Sequence, residues 1–291
     1  MQRKINISLF LLALLILALS CTKELEVDIP NNDPKLVVHC FISPQQDTLK
    51  AYVSKSRPVG EYGSTENLNW WHRADIVENA VVVISNSVGE SKTAQFVTED
   101  TEYSIDKYYQ IITDGFSIQE GETYKLSVSA PGFQSVWASV AVPLAYDVNM
   151  KFKGIKHIDN EFNNVFLYSF DFTDLAGAEN FYSASAYSVV DGWEGNQYMY
   201  NTAIDEYFSD ANFDGKDIGI QFVSYYDIDT THKVVVRLYH IDKHYFTYSR
   251  SVDNYDEMPF SEPTPIYSNV ENGLGCFGSF TYSTYSFTIE P

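Results

Sequence analysis

The sequence predicts an all-β protein: an N-terminal immunoglobulin-like sandwich, followed by a second, mainly β domain with one short helix. Three observations support this prediction. Apolar and polar side chains alternate over many short segments, which is the period of a half-buried strand. Turn-forming dipeptides that contain glycine separate several of these segments. Aromatic residues make up 15% of the chain, with 22 Tyr and 19 Phe, and aromatic side chains favour β-structure.

The first twenty residues predict a secretory signal peptide. Arg3 and Lys4 give a positive start, and residues 9–19 form an unbroken apolar run. A helix of that length spans roughly 16 Å at about 1.5 Å per residue. A bilayer core is about 30 Å thick, so the run is too short to cross it. This combination is typical of a signal that is removed from the mature protein.

Cys21 is predicted to carry a lipid anchor. Residues 18–21, "ALSC", resemble the bacterial lipobox, in which the cysteine thiol is acylated and the cysteine becomes the new N-terminus. Each buried CH₂ contributes about 0.8 kcal/mol, so two or more acyl chains anchor a protein stably. The alternative is an ordinary signal peptide followed by a chance cysteine. Residues 21–35, which are polar and contain two prolines, are then a lipidated tether.

The N-terminal domain is predicted to comprise residues 36–145. Seven short segments with period-two alternation fit an immunoglobulin-like sandwich of that size. Tyr124 follows a glycine turn, so it is either a corner tyrosine, which hydrogen-bonds to the backbone upstream, or simply a core aromatic. The strand candidates read LVVHCFI, LKAYVSKS, NAVVVISN, TAQFVTE, YYQIIT, TYKLSVSA and SVWASVAVP.

The second domain is predicted to comprise residues 146–291, after a crossing segment that begins at Pro143. Residues 217–226 and 233–240 flank "DIDTT", so we expect them to form a hairpin. Asp242 is a suitable N-cap for a helix that begins with "KHYFTYS". The strand candidates of this domain read NVFLYSFDF, NFYSASAYSVV, DIGIQFVSYYD, KVVVRLYHI and GSFTYSTYSFTI.

Two further cysteines, Cys40 and Cys276, lie in apolar strand-like segments. They are interpreted as separate buried thiols that act as small hydrophobic groups. A disulfide is the alternative, because secreted compartments permit one. Gly273, Gly275 and Gly278 surround the second cysteine and indicate positive φ angles or close backbone packing.

The charge balance excludes one class of partner. The chain has 19 basic and 39 acidic residues. Removal of the signal would remove Arg3 and Lys4 and leave 17 basic residues, for a net charge of −22. Such a surface repels nucleic acid and anionic headgroups, so no nucleic-acid role is expected.

The segment "DANFDG" is a candidate metal site. It places Asp210, Asn212 and Asp214 at alternate positions before a glycine, as in the opening half of an EF-hand calcium loop. The residue that should close such a loop is Gln221, and an amide does not supply the required carboxylate. The competing interpretation is an acidic loop with an Asp-Gly turn.

Two aromatic loops are candidate binding surfaces for a ligand or a partner protein. Residues 57–73 form a long polar segment that ends in a tryptophan pair, and long loops in compact domains are often functional. An exposed tryptophan offers a stacking face; the alternative is that one ring folds back over the sandwich edge. A second, weaker candidate is "DGWEGNQYMY". The predicted contact residues are Trp70, Trp71, His72, Arg73 and Trp193.

The sequence contains no motif of a known catalytic centre. A nucleophile elbow, a phosphate-binding loop and a dinucleotide fingerprint are all missing from it. We therefore expect a non-enzymatic protein without a cofactor.

Several segments together resemble the Bacteroidota lipoproteins of the domain-of-unknown-function family 4249. They are the lipobox, "LVVHCFI", "ENFYSAS", "FSDANFDG" and "PFSEPTPIYSNVENGLGCFGSF". The resemblance covers nearly the whole mature chain. It implies a lipid anchor, an all-β body and a role beside a TonB-dependent outer-membrane receptor, and it brings no catalytic residues.

The function implied by this resemblance is that of a lipid-anchored outer-membrane accessory or ligand-binding lipoprotein. Lys23, Glu24 and Glu26 follow Cys21 and resemble the charged surface-export signals of such lipoproteins, which implies the cell-surface side. A tether on the periplasmic side is the alternative. The alternative functions are an adhesion or structural lipoprotein without a transport role, and a hydrolase that lacks a recognised motif.

Overall fold

The structure is a computed structural model, and it describes most of the chain beyond the tether. By its internal contacts the chain divides into one unit of Met1–Asp33 with Arg57–Glu66 and another of Pro34–Ser56 with Asn67–Pro291. All strands and the helix given below belong to the second unit. The described residues are 33–57, 75–100, 105–160, 163–177, 179–191, 197–201, 206–224, 233–255 and 265–288.

The first half of the chain contains all seven predicted strands, which confirms that part of the prediction. Two further strands, of two and three residues, are too short to show an alternating pattern. The strands are β1 (Leu36–Ile42), β2 (Thr48–Lys55), β3 (Asp75–Ile76), β4 (Val81–Asn86), β5 (Ser91–Thr93), β6 (Gln95–Asp100), β7 (Ile105–Ile112), β8 (Thr123–Ser129) and β9 (Val136–Ala141).

The second half contains the five predicted strands and the predicted helix. The sequence interpretation missed three more strands, the longest of which lies within and beyond the supposed crossing segment. The elements are β10 (Lys151–Asn160), β11 (Asn163–Thr173), β12 (Phe181–Asp191), β13 (Gln197–Asn201), β14 (Glu206–Ser209), β15 (Asp217–Ser224), β16 (Lys233–Ile241), α1 (Lys243–Asp253) and β17 (Leu274–Thr288).

The strands form one large sheet and two small ones. The large sheet has the order β13-β12-β16-β17-β1-β2-β7-β6, with β14 beside β12 and β3 beside β2. The small sheets have the orders β5-β4-β8-β9 and β10-β11-β15. Neighbouring strands are antiparallel, except that β1 and β17 are parallel.

Each small sheet contributes to a separate hydrophobic core. In the first core, alternate residues of β1, β2 and β7 pack with those of β4, β8 and β9, as an immunoglobulin-like sandwich requires. In the second core, Phe170 of β11 and Ile220 of β15 pack with Ala184 of β12 and Val236 of β16. The all-β fold class predicted from the sequence is therefore confirmed.

The prediction that residues 217–226 and 233–240 form a hairpin is wrong. β15 pairs with β11 in a small sheet, whereas β16 pairs with β12 and β17 in the large sheet. Ile220 and Val236 both lie in the second core. The two strands present their apolar faces to the same core from opposite layers, so face-to-face packing replaces edge-to-edge pairing.

The strand β17 joins the two halves of the large sheet. Its first part pairs with β1, from Val37 opposite Leu274 to Ile42 opposite Ser279. Its second part pairs with β16, from Phe280 opposite Ile241 onward. Phe277 at the centre is fully buried in the first core, so the last described strand completes a core that begins with the first.

Gly275 permits this close pairing. Its φ is +107°, and a Cβ built on it would lie 2.1 Å from the carbonyl oxygen of Val38 on β1. A side chain at this position would both strain the backbone and collide with a main-chain atom. The close backbone packing predicted for the glycine-rich stretch is therefore confirmed at this position.

The helix α1 covers the outer face of β1 and β17. Asp242 caps it as predicted: one carboxylate oxygen accepts hydrogen bonds from the amides of His244 at 2.7 Å and Tyr245 at 3.3 Å. The other oxygen accepts a hydrogen bond from the amide of Ser279 on β17. The Tyr245 ring packs against Phe41 of β1 with a centroid distance of 4.4 Å. The cap thus also attaches the helix to β17.

Tyr124 is a corner tyrosine, which was one of its two possible roles. Its ring is buried in the first core. Its hydroxyl accepts a hydrogen bond from the amide of Gln119 at 2.8 Å and donates one to the carbonyl of Ser117 at 3.2 Å. The side chain therefore fixes the chain just before β8 as well as filling the core.

Cys40 and Cys276 are free and buried, as the favoured interpretation predicts. The Cys40 side chain lies in the first core. The thiol of Cys276 contacts the carbonyl of His244 in α1, at 3.8 Å, and so faces the helix. Burial raises the pKa of the Cys40 thiol to about 12, and it also raises the pKa of Cys276. Neither thiol is poised to ionise near neutral pH.

Gly275→Ala should lower the free energy of unfolding by at least about 3 kcal/mol. A left-handed φ costs an L-residue about 1–2 kcal/mol, and the collision with Val38 must be relieved in addition. Gly115→Ala is the matched control, because Gly115 has a φ of +69° but nothing lies within 4 Å of its Cβ position. The control should lose only about 1 kcal/mol. Urea unfolding measures both variants; equal losses would contradict the proposed role of the β1–β17 contact.

Candidate functional site

Most of the sequence-predicted site residues lie outside the described part of the chain. The lipidation site and both tryptophan loops therefore stay predictions. These residues are Cys21, Trp70, Trp71, His72, Arg73 and Trp193.

Two of the three predicted metal ligands lie in one acidic cluster. Asp210 and Asp214 belong to the turn between β14 and β15, and Asp174 directly follows β11. One carboxylate oxygen from each lies within 4.8 Å of the others. Asn212, the third predicted ligand, is exposed on the same turn.

Hydrogen bonds hold the cluster between two turns. Asp174 accepts one from the Tyr182 hydroxyl at 2.6 Å and one from the Gly215 amide at 2.8 Å. Asp214 accepts one from the amide of Gly177 at 2.7 Å. Each turn therefore supplies an amide to a carboxylate of the other turn.

Asp210 is bound from the turn that follows Asp174. The side-chain amide of Asn180 donates to the Asp210 carboxylate at 3.1 Å and to the carbonyl of Leu175 at 2.7 Å. The Asp210 amide in turn donates to the Asn180 carbonyl at 3.1 Å. The aspartates therefore act as links between two turns, whatever else they bind.

The geometry of this cluster differs from an EF-hand. Gln221, at the closing position of such a loop, lies in β15, and its amide donates to Ser169 of β11 at 3.2 Å. The third carboxylate comes instead from Asp174, far upstream in the sequence. Sequence reasoning missed Asp174 because the two turns are brought together by sheet pairing, of β11 with β15 and of β12 with β14. A sequence signal did exist: Asp174 stands two residues beyond the end of the predicted strand NVFLYSFDF.

The acidic cluster has no basic partner among the described residues. Asp174 and Asp210 are each only 2% exposed, and among the described residues no lysine or arginine forms an ion pair with either. Burial, together with the hydrogen bond to Asp174, raises the pKa of Tyr182, so its hydroxyl stays a donor. Carboxylate oxygens in this arrangement are the ligand type that Ca²⁺ and Mg²⁺ prefer.

The nearby histidines have other partners. The Nδ1 atom of His240 lies 3.1 Å from the Leu144 carbonyl, and that of His244 lies 2.6 Å from the Tyr267 hydroxyl. Burial lowers the pKa of His240 despite the opposing effect of the two buried aspartates. His240 is thus held neutral and does not balance their charge.

A comparison with protein families assigns the chain. The family model described as "Domain of unknown function (DUF4249)" matches residues 22–286. The chain belongs to the DUF4249 family. The matched region includes every strand of both cores except the last two residues of β17, together with both turns of the acidic cluster.

Comparisons with individual proteins add little to this assignment. No curated protein matches this DUF4249 chain. A solved chain titled "Cytokine receptor complex - Crystal form 1A" aligns with 89% of this chain and 97% of its own, at 8% identity and a TM-score of 0.23. A score of that size supports no inference about fold or function. Within the described residues, no helix has the length and apolar character needed to cross a membrane.

The metal prediction can be tested by calcium titration of this DUF4249 chain. If the cluster binds Ca²⁺, a concentration ten times the Kd adds about 1.4 kcal/mol of stability, which raises the Tm by about 3–6 °C. Asp214→Asn should reduce that shift, because it removes one carboxylate at an exposed position. Asp100→Asn is the control, an exposed carboxylate at the end of β6. No calcium-dependent shift, or equal shifts in both variants, would rule out calcium at this cluster.

Proposed function

We propose that this chain is a lipid-anchored outer-membrane accessory or ligand-binding lipoprotein that works with a TonB-dependent receptor. The observation that carries the proposal is membership of DUF4249 over residues 22–286. The matched region begins at the residue after Cys21. The predicted acylation site and the family domain are therefore adjacent in the sequence.

The length of the tether supports a body that stands clear of the membrane surface. Residues 22–35 separate Cys21 from the start of β1 at Leu36. Fully extended, these 14 residues reach about 48 Å at roughly 3.4 Å each. A net charge of −22 for the predicted mature chain repels anionic headgroups, so the lipid, rather than the protein surface, supplies the membrane affinity.

The proposed partnership requires exposed contact residues rather than a catalytic centre. The segment of residues 57–73 lies between β2 and β3 in the sequence. Its tryptophan pair is the proposed contact with the receptor or its cargo, since tryptophan is enriched at the centres of binding interfaces. The cell-surface side is the proposed location, on the basis of the charged residues after Cys21.

The lipid anchor is tested by Cys21→Ser. We expect this variant to keep its signal peptide or to leave the membrane fraction, because the serine hydroxyl cannot take the place of the acylated thiol. Membrane fractionation and the intact mass of the N-terminal peptide measure both effects. Cys40→Ser serves as the control for loss of a thiol. Normal processing with full membrane retention in the Cys21 variant would overturn the anchor.

The receptor partnership is tested by co-purification from native membranes with a tagged chain. The double variant Trp70→Ala/Trp71→Ala should lose at least about 2 kcal/mol of binding, as aromatic anchors do, which corresponds to roughly thirty-fold in affinity. Its Tm should stay nearly unchanged. Trp137→Ala is the matched control, because Trp137 is 43% exposed on β9 and is not part of residues 57–73.

Three outcomes would count against this partnership or this contact. Absence of a TonB-dependent receptor from the purified complex would favour an adhesion or structural lipoprotein. Wild-type recovery with the double variant would exclude the tryptophan pair as the contact. A loss of about 3 kcal/mol or more of stability per ring would assign the tryptophans to the core instead.

A further inference from the structure

Arg237 lies on the face of the large sheet that is turned away from the second core. Along β16, Val234, Val236 and Leu238 are buried in that core, so Arg237 and Tyr239 point to the opposite side. Both side chains are half-buried. Arg237 therefore lies outside the second core, on the opposite face of the sheet.

Three tyrosines surround the guanidinium. Its central carbon lies 5.4 Å from the ring centroid of Tyr187 on β12 and 5.5 Å from that of Tyr282 on β17. The Tyr239 side chain also interacts with it through a hydrogen bond. Cation–π attraction at these distances holds the guanidinium in place and fixes its orientation.

The tyrosines are themselves held by the sheet. The side-chain amide of Gln45 bonds the backbone of Tyr282 on both sides, donating to its carbonyl at 2.6 Å and accepting from its amide at 3.0 Å. The Ser185 hydroxyl donates to that of Tyr187 at 3.3 Å. The ring centroids of Tyr239 and Tyr282 lie 5.6 Å apart. The group is thus organised before any ligand arrives.

The charge of Arg237 has no acidic partner in the described part of the chain. No carboxylate forms an ion pair or a hydrogen bond with it there, and its Nε is buried without an acceptor. This is unusual in a chain with 39 acidic and 19 basic residues. A guanidinium has five N–H donors, and here the protein engages it with rings and one hydroxyl.

The hydroxyl of the neighbouring Tyr239 is also a hydrogen-bond donor. Burial is the largest cause of the raised pKa of Tyr239, so this hydroxyl is neutral and can donate at physiological pH. Next to the cluster, the ring centroid of Phe280 lies 5.7 Å from that of Tyr239 and 6.3 Å from that of Tyr245 in α1. The helix covers the adjoining part of the face, so among the described elements it forms one border of the cluster.

We propose that Arg237, Tyr187, Tyr239 and Tyr282 form a binding site for a small organic acid: the guanidinium pairs with the carboxylate, and the tyrosine rings contact the apolar body. A guanidinium fork matches the two oxygens of a carboxylate. A single arginine balances one negative charge, which fits a carboxylate better than a doubly charged phosphate. The strongly negative chain would disfavour the second charge.

This inference adds a ligand class to the ligand-binding role proposed above, on which it builds, but it can be tested apart from it. Binding is measured on the full chain purified in detergent, without a receptor. A negative result would leave lipidation and receptor partnership unaffected, and a failed co-purification would leave this site unaffected.

The probe is benzoate, which combines a carboxylate with an apolar ring. The chain has only five arginines, so the Nε–H signals of its arginine side chains are few in a ¹H–¹⁵N spectrum. Benzoate should shift the Arg237 signal saturably, at millimolar concentration. Benzamide, which has the same ring without the charge, should not do so, and neither should sodium chloride at matched ionic strength.

Two arginine variants test whether Arg237 is the residue that binds benzoate. Arg237→Lys keeps the charge but loses the fork, so benzoate affinity should fall at least about tenfold, equal to about 1.4 kcal/mol. Arg250→Lys, at an exposed position in the last turn of α1, should keep wild-type affinity. No saturable shift with benzoate, an equal response to benzamide, or saturation by inorganic phosphate alone would each overturn the proposal.

Discussion

The parallel pairing of β1 with β17 is the contact on which the rest of the structure depends. It brings residues 37–42 against residues 274–279, so nearly the whole chain lies between two adjacent strands. The pairing is close because Gly275 leaves no side chain against the Val38 carbonyl. The Asn269 side chain completes it by accepting from the Phe277 amide at 3.0 Å and donating to its carbonyl at 2.8 Å. Phe277 is thereby fixed in the first core.

The Arg237 cluster depends on the pairing of β1 with β17 more closely than the acidic cluster does. The second part of β17 pairs with β16 and so places Tyr282 beside Arg237 and Tyr239. The cap residue Asp242 accepts from Ser279 of the same strand, which puts α1 on the neighbouring part of the face. The acidic cluster is more remote from β17, because its two turns are brought together by the pairing of β11 with β15 and of β12 with β14.

Local patterns in the sequence predicted most strands and the helix with its cap, and they gave the corner position as one of two roles for Tyr124. These features depend on residues close together in the chain: alternation, an N-cap aspartate and a glycine turn. The strand β10 was missed because it contains few apolar residues and its alternation is interrupted next to Gly154, where the register shifts. The supposed hairpin of β15 and β16 was wrong because strands that are adjacent in sequence can also pack in opposite layers.

The acidic cluster and the Arg237 cluster were harder to predict, because each brings together residues that are far apart in the sequence. Asp210 and Asp214 stand close together in the sequence, whereas Asp174 joins them only through sheet pairing. The Arg237 cluster draws one side chain from each of β12 and β17 and two from β16, and no spacing rule connects them. Its signal in the sequence is indirect: an arginine at an outward position of β16, in a chain with few basic residues.

Native-state hydrogen exchange at increasing urea tests the central role of β17 most directly. If β17 links the two cores, the slowest amides of β1, β8, β11 and β16 should exchange with one common opening free energy, because neither core keeps its structure after the other unfolds. Opening free energies that differ by more than about 2 kcal/mol between the first and second cores would indicate two independently folding units. That result would contradict the account.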